Sequence, residues 1–256
     1  GEVAITNLRD PDIKPQVQRR RLDFLQRVNR RLLKRARTDS QMEGIIESFE
    51  LAFRMQAETP GLIDLSRESK QTQELYGIGG GPSDVNGRAC LMARRLSEAG
   101  VRFVQVTMDG WDHHGDIRNA LPGSCAKADQ PIAGLIRDLS RRGLLQDTLV
   151  MVPGEFGRTY WSQDLSGTSP IAKHGREHQQ ESFCTLLAGG GVKRGFVYGA
   201  SDKVGAYPDR DGVTPDDLAA TMFSLLGIDP HLTVADRFGR PVPIAHGGEP
   251  IRDVIA

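Results

Sequence analysis

The sequence predicts an α/β fold in which a mixed, mainly parallel sheet is sandwiched by helices. Short apolar runs typical of strands alternate along the chain with longer segments of helical periodicity. The apolar runs are also nearly continuous, as in strands that are buried on both faces of a parallel sheet. We therefore expect one such sheet in residues 61–256, preceded in residues 1–60 by a helical segment that packs on this core.

Composition limits the classes of partner. With 38% hydrophobic and 26% charged residues, the 256-residue chain is typical of a globular protein. No apolar run approaches the ~20 residues that a transmembrane helix needs, so we predict no membrane span. The formal net charge is zero, and we expect no nucleic-acid partner. Cys90, Cys125 and Cys184 lack metal-like spacing, which predicts three free thiols.

The N-terminal segment is predicted to be a helical hairpin. Apolar residues recur at helical spacing over residues 14–37, which also carry ten Lys or Arg and one Asp. Residues 40–58 predict a second amphipathic helix, with Asp39 or Ser40 as its N-cap and Pro60 after its end. A basic helix like the first is typical of a solvated face packed on a neighbour, or of a surface for nucleic acid or anionic membrane.

The core elements follow in order. A short helix is predicted within residues 62–77, and Thr214 is the expected N-cap of the last helix, which ends at Gly227. We expect strands 101–108 and 147–153 to be adjacent or near-adjacent in the centre of the sheet. The last helix lies within residues 214–230; the remaining predicted helices are 84–100 and 127–142, and the remaining strands are 182–191 and 196–200.

Polar clusters lie at the predicted strand ends, where open parallel sheets bind ligands. Carboxylates and imidazoles suit Zn²⁺ or Mn²⁺, and arginines suit an anionic oxygen of phosphate or sulfate type. Read singly, each cluster is also typical of an exposed polar turn or of a structural ion pair, as for Glu155 with Arg158. The clusters are Asp109, Asp112, His113, His114 and Asp116; Glu155 and Arg158; and His174, Arg176, Glu177 and His178.

The order of the motifs resembles domain-of-unknown-function family 1501, which belongs to the alkaline phosphatase-like superfamily with sulfatases and phosphoglycerate mutases. The resemblance covers residues 62–253 and, more loosely, the arginine-rich helix before them. The motifs are VRFVQVTMDGWDHHGD, DTLVMVPGEFGRT, HGREH, LLAGGGVKRGFVYGASD, VTPDDLAATMFSLLGIDP and GRPVPI. The resemblance implies an alkaline phosphatase-like core, and the matching motifs correspond to the C-terminal half of that core.

The resemblance implies metal ligands residue by residue. Where the family usually reads GWDTHG, residues 110–115 read GWDHHG, so Asp112 and His114 carry over as ligands and His113 replaces a threonine. Where the family commonly reads GRDHW, residues 175–179 read GREHQ. His178 therefore carries over as a third ligand, and the positions on either side of it depart from the family pattern.

The motif GEFGRT at residues 154–159 also matches, and Glu155 stands where the superfamily has a metal-binding aspartate. We expect Glu155, Arg158 and Arg176 to act in catalysis, the two arginines by stabilising charge in the transition state. The metal implied is a divalent ion such as Zn, Mn or Ca. Full-length members carry an export signal, a first strand with a metal-binding aspartate, and the nucleophile before these helices.

These features predict a metal-dependent hydrolase of small anionic phosphate or sulfate esters, exported by resemblance and incomplete in this chain. The alternative is a non-catalytic binding or structural member of the same family. The first residues carry no signal-peptide pattern, which favours a chain that begins within a longer protein. An exposed sheet edge would then be covered by self-association or by a partner chain that supplies the N-terminal half.

Overall fold

The computed structural model describes residues 13–35, 44–50, 53, 61–164 and 166–256. The chain divides into two compact units, Gly1–Glu68 and Ser69–Ala256. Among the described residues no helix combines the length and the hydropathy needed to cross a bilayer, which agrees with the prediction of no membrane span. The three cysteines are free thiols, as predicted.

The first unit contains the basic helix α1 (Pro15–Arg35), within the predicted range. Residues 44–50 are also helical, and the two segments contact each other. The Gln26 side-chain amide donates to the Ile46 carbonyl at 3.0 Å, and Arg19 lies 3.2 Å from Glu50. These contacts agree with the predicted αα-hairpin, whereas its predicted caps Asp39 and Ser40 lie outside the described residues.

Helices dominate the first part of the second unit. Helix α4 begins earlier than predicted and runs through Pro122 and Pro131, although proline lacks the amide hydrogen that a helix interior uses. Pro131 is fully buried, so tertiary packing outweighs intrinsic propensity here. The helices of this unit are α2 (Lys70–Leu75), α3 (Asp84–Glu98), α4 (Ile117–Arg141) and α5 (Pro215–Leu225).

Helices α3 and α4 pack along each other around a core that includes Tyr76, Leu91 and Leu139. Two glycines let both helices approach the backbone at the end of α2: a Cβ on Gly134 would lie 2.6 Å from the Leu75 carbonyl oxygen, and one on Gly87 would lie 2.3 Å from the Tyr76 carbonyl oxygen. A buried polar network crosses the same core. The Tyr76 hydroxyl donates to Asp138 at 3.0 Å, and Arg94 lies 3.1 Å from the same carboxylate.

The strands of the second unit form small antiparallel pairs. β1 pairs with β4, β2 with β3, β5 with β6, and β7 with β8. The β1–β4 pair corresponds to the predicted strands 147–153 and 182–191. The strands are β1 (Val150–Pro153), β2 (Gly157–Arg158), β3 (His178–Gln179), β4 (Thr185–Ala188), β5 (Ala200–Ser201), β6 (Pro208–Arg210), β7 (Thr233–Ala235) and β8 (Pro241–Pro243).

The structure differs here from the predicted mainly parallel sheet, because every ladder between described strands is antiparallel. Residues 101–108 are not assigned as a strand, and residues 102–109 make no backbone–backbone hydrogen bond within the described part of the chain. The apolar pattern specified an extended segment, but a strand also needs a neighbour to pair with. Phe103, with 72% of its surface exposed, shows that this segment lacks cover on one face.

Candidate metal centre

The loop after residues 101–108 is held by the segment 173–176. The Asp116 amide donates to the Lys173 carbonyl at 2.7 Å, and the Arg176 amide donates to the His113 carbonyl at 3.0 Å. Gly175 is buried between them, and a Cβ there would lie 2.1 Å from the backbone carbon of His114. Only glycine lets the two backbones approach so closely.

Three of the predicted ligands converge at this loop. One ligand atom each from Asp112, His114 and His178 lies within 4.8 Å of the others. The Asp112 Oδ1 atom is 2.8 Å from His114 Nε2 and 3.0 Å from His178 Nε2. The expected convergence also included Glu155 and Arg158; of these residues, Asp112, His114 and His178 form a candidate metal-binding triad.

The short β2–β3 ladder brings Arg158 to the triad. Arg158 and His178 are direct cross-strand partners, so their side chains lie side by side. One guanidinium nitrogen donates to Asp112 Oδ1 at 3.0 Å, and the other donates to the Trp111 carbonyl at 2.9 Å. The Phe156 ring lies 4.3 Å from the His178 ring and limits its movement. The arginine thus adds a positive charge beside the triad.

These contacts shift the electrostatics of the site. Hydrogen bonds from His178 and then Arg158 lower the pKa of Asp112 to about 2. The Asp112 side chain is 64% exposed, whereas the His114 side chain is 25% exposed. A backbone hydrogen bond from His178, followed by one from the Gln163 side chain, also lowers the pKa of Glu177. The triad therefore lies at the surface, open on one side, with its Asp112 carboxylate ionised at neutral pH.

The other predicted catalytic residues point elsewhere. Glu155 lines a cavity of about 350 Å³ with Glu181 and Phe183, and among the described residues no hydrogen bond or ion pair joins it to the triad. The Arg176 guanidinium donates to the Thr159 carbonyl, which leaves Arg158 as the arginine beside the triad. His174 and His178 are four positions apart, so spacing alone does not distinguish them; the β2–β3 register places His178 beside Arg158 at the triad.

The two remaining histidines of the motifs are bound to local groups. His174 contacts the Ser162 hydroxyl and the Ser169 carbonyl, both at 3.1 Å. His113 lies 3.3 Å from the Ser124 hydroxyl. Neither histidine therefore contributes to the triad, although both occur in the same sequence motifs as its ligands.

Sequence reasoning missed Gln163. Its side-chain oxygen lies 3.2 Å from His114 Nδ1, and its amide nitrogen donates to Glu177 at 2.7 Å. No local pattern marks this residue, because it is separated from His114 by 49 positions and an amide side chain has no motif of its own.

The donor set fits a divalent metal. Two imidazole nitrogens and one carboxylate oxygen suit Zn²⁺ or Mn²⁺, and three protein ligands with an open side are typical of catalytic rather than structural zinc sites. Ca²⁺ prefers six to eight oxygen ligands, so this triad fits it less well.

The comparisons with known proteins give one match. The family model described as "Protein of unknown function (DUF1501)" matches residues 2–255. No curated protein and no solved structure matches the chain. Because the family model spans nearly the whole chain, the protein belongs to the family of proteins of unknown function DUF1501.

Proposed function

We propose that this chain supplies the metal-binding part of a hydrolase that acts on small phosphate or sulfate esters. The observation that carries the proposal is the convergence of Asp112, His114 and His178, with Arg158 3.0 Å from the Asp112 carboxylate. A metal site beside a fixed guanidinium suits an anionic oxygen, because both attract the same negative charge.

The residues have separate roles in this proposal. Asp112, His114 and His178 would hold a divalent ion, for which Zn or Mn fits the ligands better than Ca. Such an ion polarises an ester oxygen and lowers the pKa of bound water. Arg158 would orient an anionic substrate and stabilise its charge. Glu155 and Arg176, which contact other groups, would act only after a rearrangement of their side chains.

The centre would be completed by another polypeptide segment. Among the described residues no hydrogen bond joins a hydroxyl group to a triad side chain, so we expect a nucleophile and further carboxylates to come from a partner chain. The resemblance to the C-terminal half of an alkaline phosphatase-like domain supports this idea. A strand of the partner chain that paired with residues 101–108 would also enlarge the sheet. The superfamily that the sequence resembles has a larger, mainly parallel sheet. Export from the cytoplasm is part of the same proposal.

The alternative is a non-catalytic binding or structural member of the family. It is favoured because, within the described residues, no triad side chain has a hydrogen bond to a hydroxyl group. The two functions differ in anion binding. A hydrolase centre should bind phenylphosphonate, a non-hydrolysable aryl phosphate analogue, only when metal is present.

The test combines metal binding, anion binding and turnover. We expect the chain to bind Zn²⁺ or Mn²⁺ weakly, and to lose that binding in Asp112→Ala and His114→Ala. Phenylphosphonate should bind the metal-loaded chain. Arg158→Ala should lower the affinity for phenylphosphonate about tenfold, because the variant loses roughly one charge-assisted hydrogen bond. Aryl phosphates and sulfates should show little or no turnover.

Two results would contradict the proposal. Metal binding without any metal-dependent anion binding would favour the non-catalytic alternative. Robust turnover that the two ligand variants abolish would show that this chain alone contains a complete centre.

A further inference from the structure

The Gln163–Glu177 pair lies behind His114, on the ring nitrogen that does not face Asp112. The Gln163 amide nitrogen donates to Glu177 Oε2 at 2.7 Å, and the Gln163 oxygen lies 3.2 Å from His114 Nδ1. Glu177 Oε1 in turn accepts the His178 amide at 3.0 Å and lies 3.4 Å from His114 Nδ1, where its negative charge also favours a hydrogen on that nitrogen. Both side chains are half-buried. The pair therefore connects two of the three triad loops.

The direction of these hydrogen bonds determines the His114 tautomer. An ionised carboxylate only accepts hydrogen bonds, so Glu177 must face the amide nitrogen of Gln163. The oxygen of Gln163 then faces His114, and an oxygen can only accept. His114 Nδ1 must carry the hydrogen and donate it, which leaves the lone pair of the neutral ring on Nε2.

That lone pair points at Asp112. His114 Nε2 and Asp112 Oδ1 are 2.8 Å apart, and both are acceptors when the ring is neutral. Two acceptors at this distance repel each other unless a cation lies between or beside them, and either a proton on Nε2, which makes the ring an imidazolium, or a metal ion meets that need. The arrangement therefore presents the nitrogen and the oxygen as a ready pair of ligands.

Backbone contacts keep Gln163 in place. Gln163 and Gly175 exchange two backbone hydrogen bonds, at 2.8 and 2.9 Å, in an isolated antiparallel bridge. Gly175 is also the residue that packs against the His114 backbone. The amide of Gln163 is thus fixed relative to the ring that it contacts.

We propose that Gln163, anchored by Glu177, is a positioning residue that holds His114 as the Nδ1–H tautomer so that Nε2 faces the metal. The inference rests on the proposed metal centre for its role, but the tautomer itself is a property of the metal-free chain. Outer partners of this kind typically contribute 10- to 100-fold to metal affinity.

The first measurement is a long-range ¹H–¹⁵N NMR spectrum of the metal-free protein at pH 8.5, with His114→Asn to assign the signals. We expect the Nδ1–H tautomer for His114 in the wild type and a mixture of tautomers in Gln163→Leu and Glu177→Ala. An Nε2–H tautomer in the wild type would overturn the proposal, whether or not the chain binds metal.

The second measurement is Zn²⁺ affinity. Gln163→Leu and Glu177→Ala should weaken it about 10- to 100-fold with unchanged circular dichroism. The exchanged pair Gln163→Glu/Glu177→Gln keeps an acceptor beside His114 and should restore most of the affinity. Gln180→Leu is the matched control and should leave the Zn²⁺ affinity unchanged. Within the described residues, the side chain of Gln180 has a hydrogen bond only to Glu181.

Two affinity results would refute the positioning role. One is an unchanged Zn²⁺ affinity in Gln163→Leu when the wild type binds the ion. The other is a loss of affinity in that variant with the His114 tautomer unchanged, because the effect would then be structural. A wild type that shows the expected tautomer but binds no metal would refute the proposed function and leave the tautomer assignment standing.

Discussion

At the residue scale, Gly175 has no substitute. A Cβ at this position would lie 2.1 to 2.4 Å from backbone atoms of residues 113–115, and backbone cannot move aside as a flexible side chain can. We expect Gly175→Ala to displace the His114 loop and to reduce Zn²⁺ affinity by at least tenfold. Isothermal titration calorimetry checks this. The control Gly123→Ala, where nothing lies within 4 Å, should bind like the wild type.

The titration of Asp112 gives a second prediction. Hydrogen bonds from His178 and Arg158 lower its pKa to about 2, from an unperturbed value of about 3.9. These contacts therefore stabilise the folded state above about pH 4, and the contribution is lost as the pH falls toward 2. In carboxyl-carbon NMR of the metal-free chain, His178→Ala and Arg158→Ala should each raise the Asp112 pKa. No change in either variant would show that the contacts do not form in solution.

The ligands could be predicted from sequence because each lies in a short motif beside a predicted strand. His114 and Asp112 are two positions apart, and their loop follows an apolar segment. His178 could not be distinguished from His174 by spacing, since the choice depends on the β2–β3 register. Gln163 and the outward orientation of Arg176 depend on contacts between distant segments, which no local pattern encodes.

At the scale of elements, the start of α5 was predictable. Thr214 and Asp217 form a capping box, in which the Thr214 hydroxyl accepts the Asp217 amide at 3.1 Å. Asp217 also accepts the Glu249 amide at 2.9 Å. We expect Thr214→Ala to lower the free energy of unfolding by about 0.5–2 kcal/mol, measured by urea denaturation. Thr214→Ser retains the hydroxyl, and an equal loss in that variant would contradict the capping role.

A substitution in the α3–α4 core should lower the free energy of unfolding more than the loss of the Thr214 cap does. Tyr76→Phe removes the hydroxyl that donates to Asp138 at 3.0 Å and keeps the packing of the ring. Since that partner is a buried carboxylate, we expect a loss of about 1.5–3 kcal/mol in the free energy of unfolding. The control is Tyr198→Phe, because the Tyr198 hydroxyl has no described hydrogen bond. This variant should lower the free energy of unfolding much less. Equal effects would mean that the network does not stabilise the core.

The sheet was the least predictable element. The strands β1 and β4 were expected from their apolar runs, and both are present. Their antiparallel pairing was not expected, because periodicity reports burial and says nothing of which strand lies alongside. Residues 101–108 show the same limit, since they have the predicted apolar character without a paired neighbour.

At the scale of the whole molecule, unpaired backbone and exposed apolar side chains predict association. Residues 102–109 lack backbone partners within the described part of the chain, and Phe103 is exposed beside them. The zero net charge offers little repulsion between copies. We expect concentration-dependent association in light scattering, reduced by Phe103→Glu. The control Val85→Glu changes an equally exposed residue on α3 and should have little effect.

The central claim is that Asp112, His114 and His178 bind one divalent metal. Its most direct test is equilibrium dialysis of the purified chain against increasing Zn²⁺ or Mn²⁺, in which the bound ion is the excess metal on the protein side. We expect binding to saturate at one ion per chain in the wild type and to be lost in His114→Ala and His178→Ala, with the His231→Ala control unchanged. A wild type without bound metal, or a ligand variant that retains it, would contradict the account.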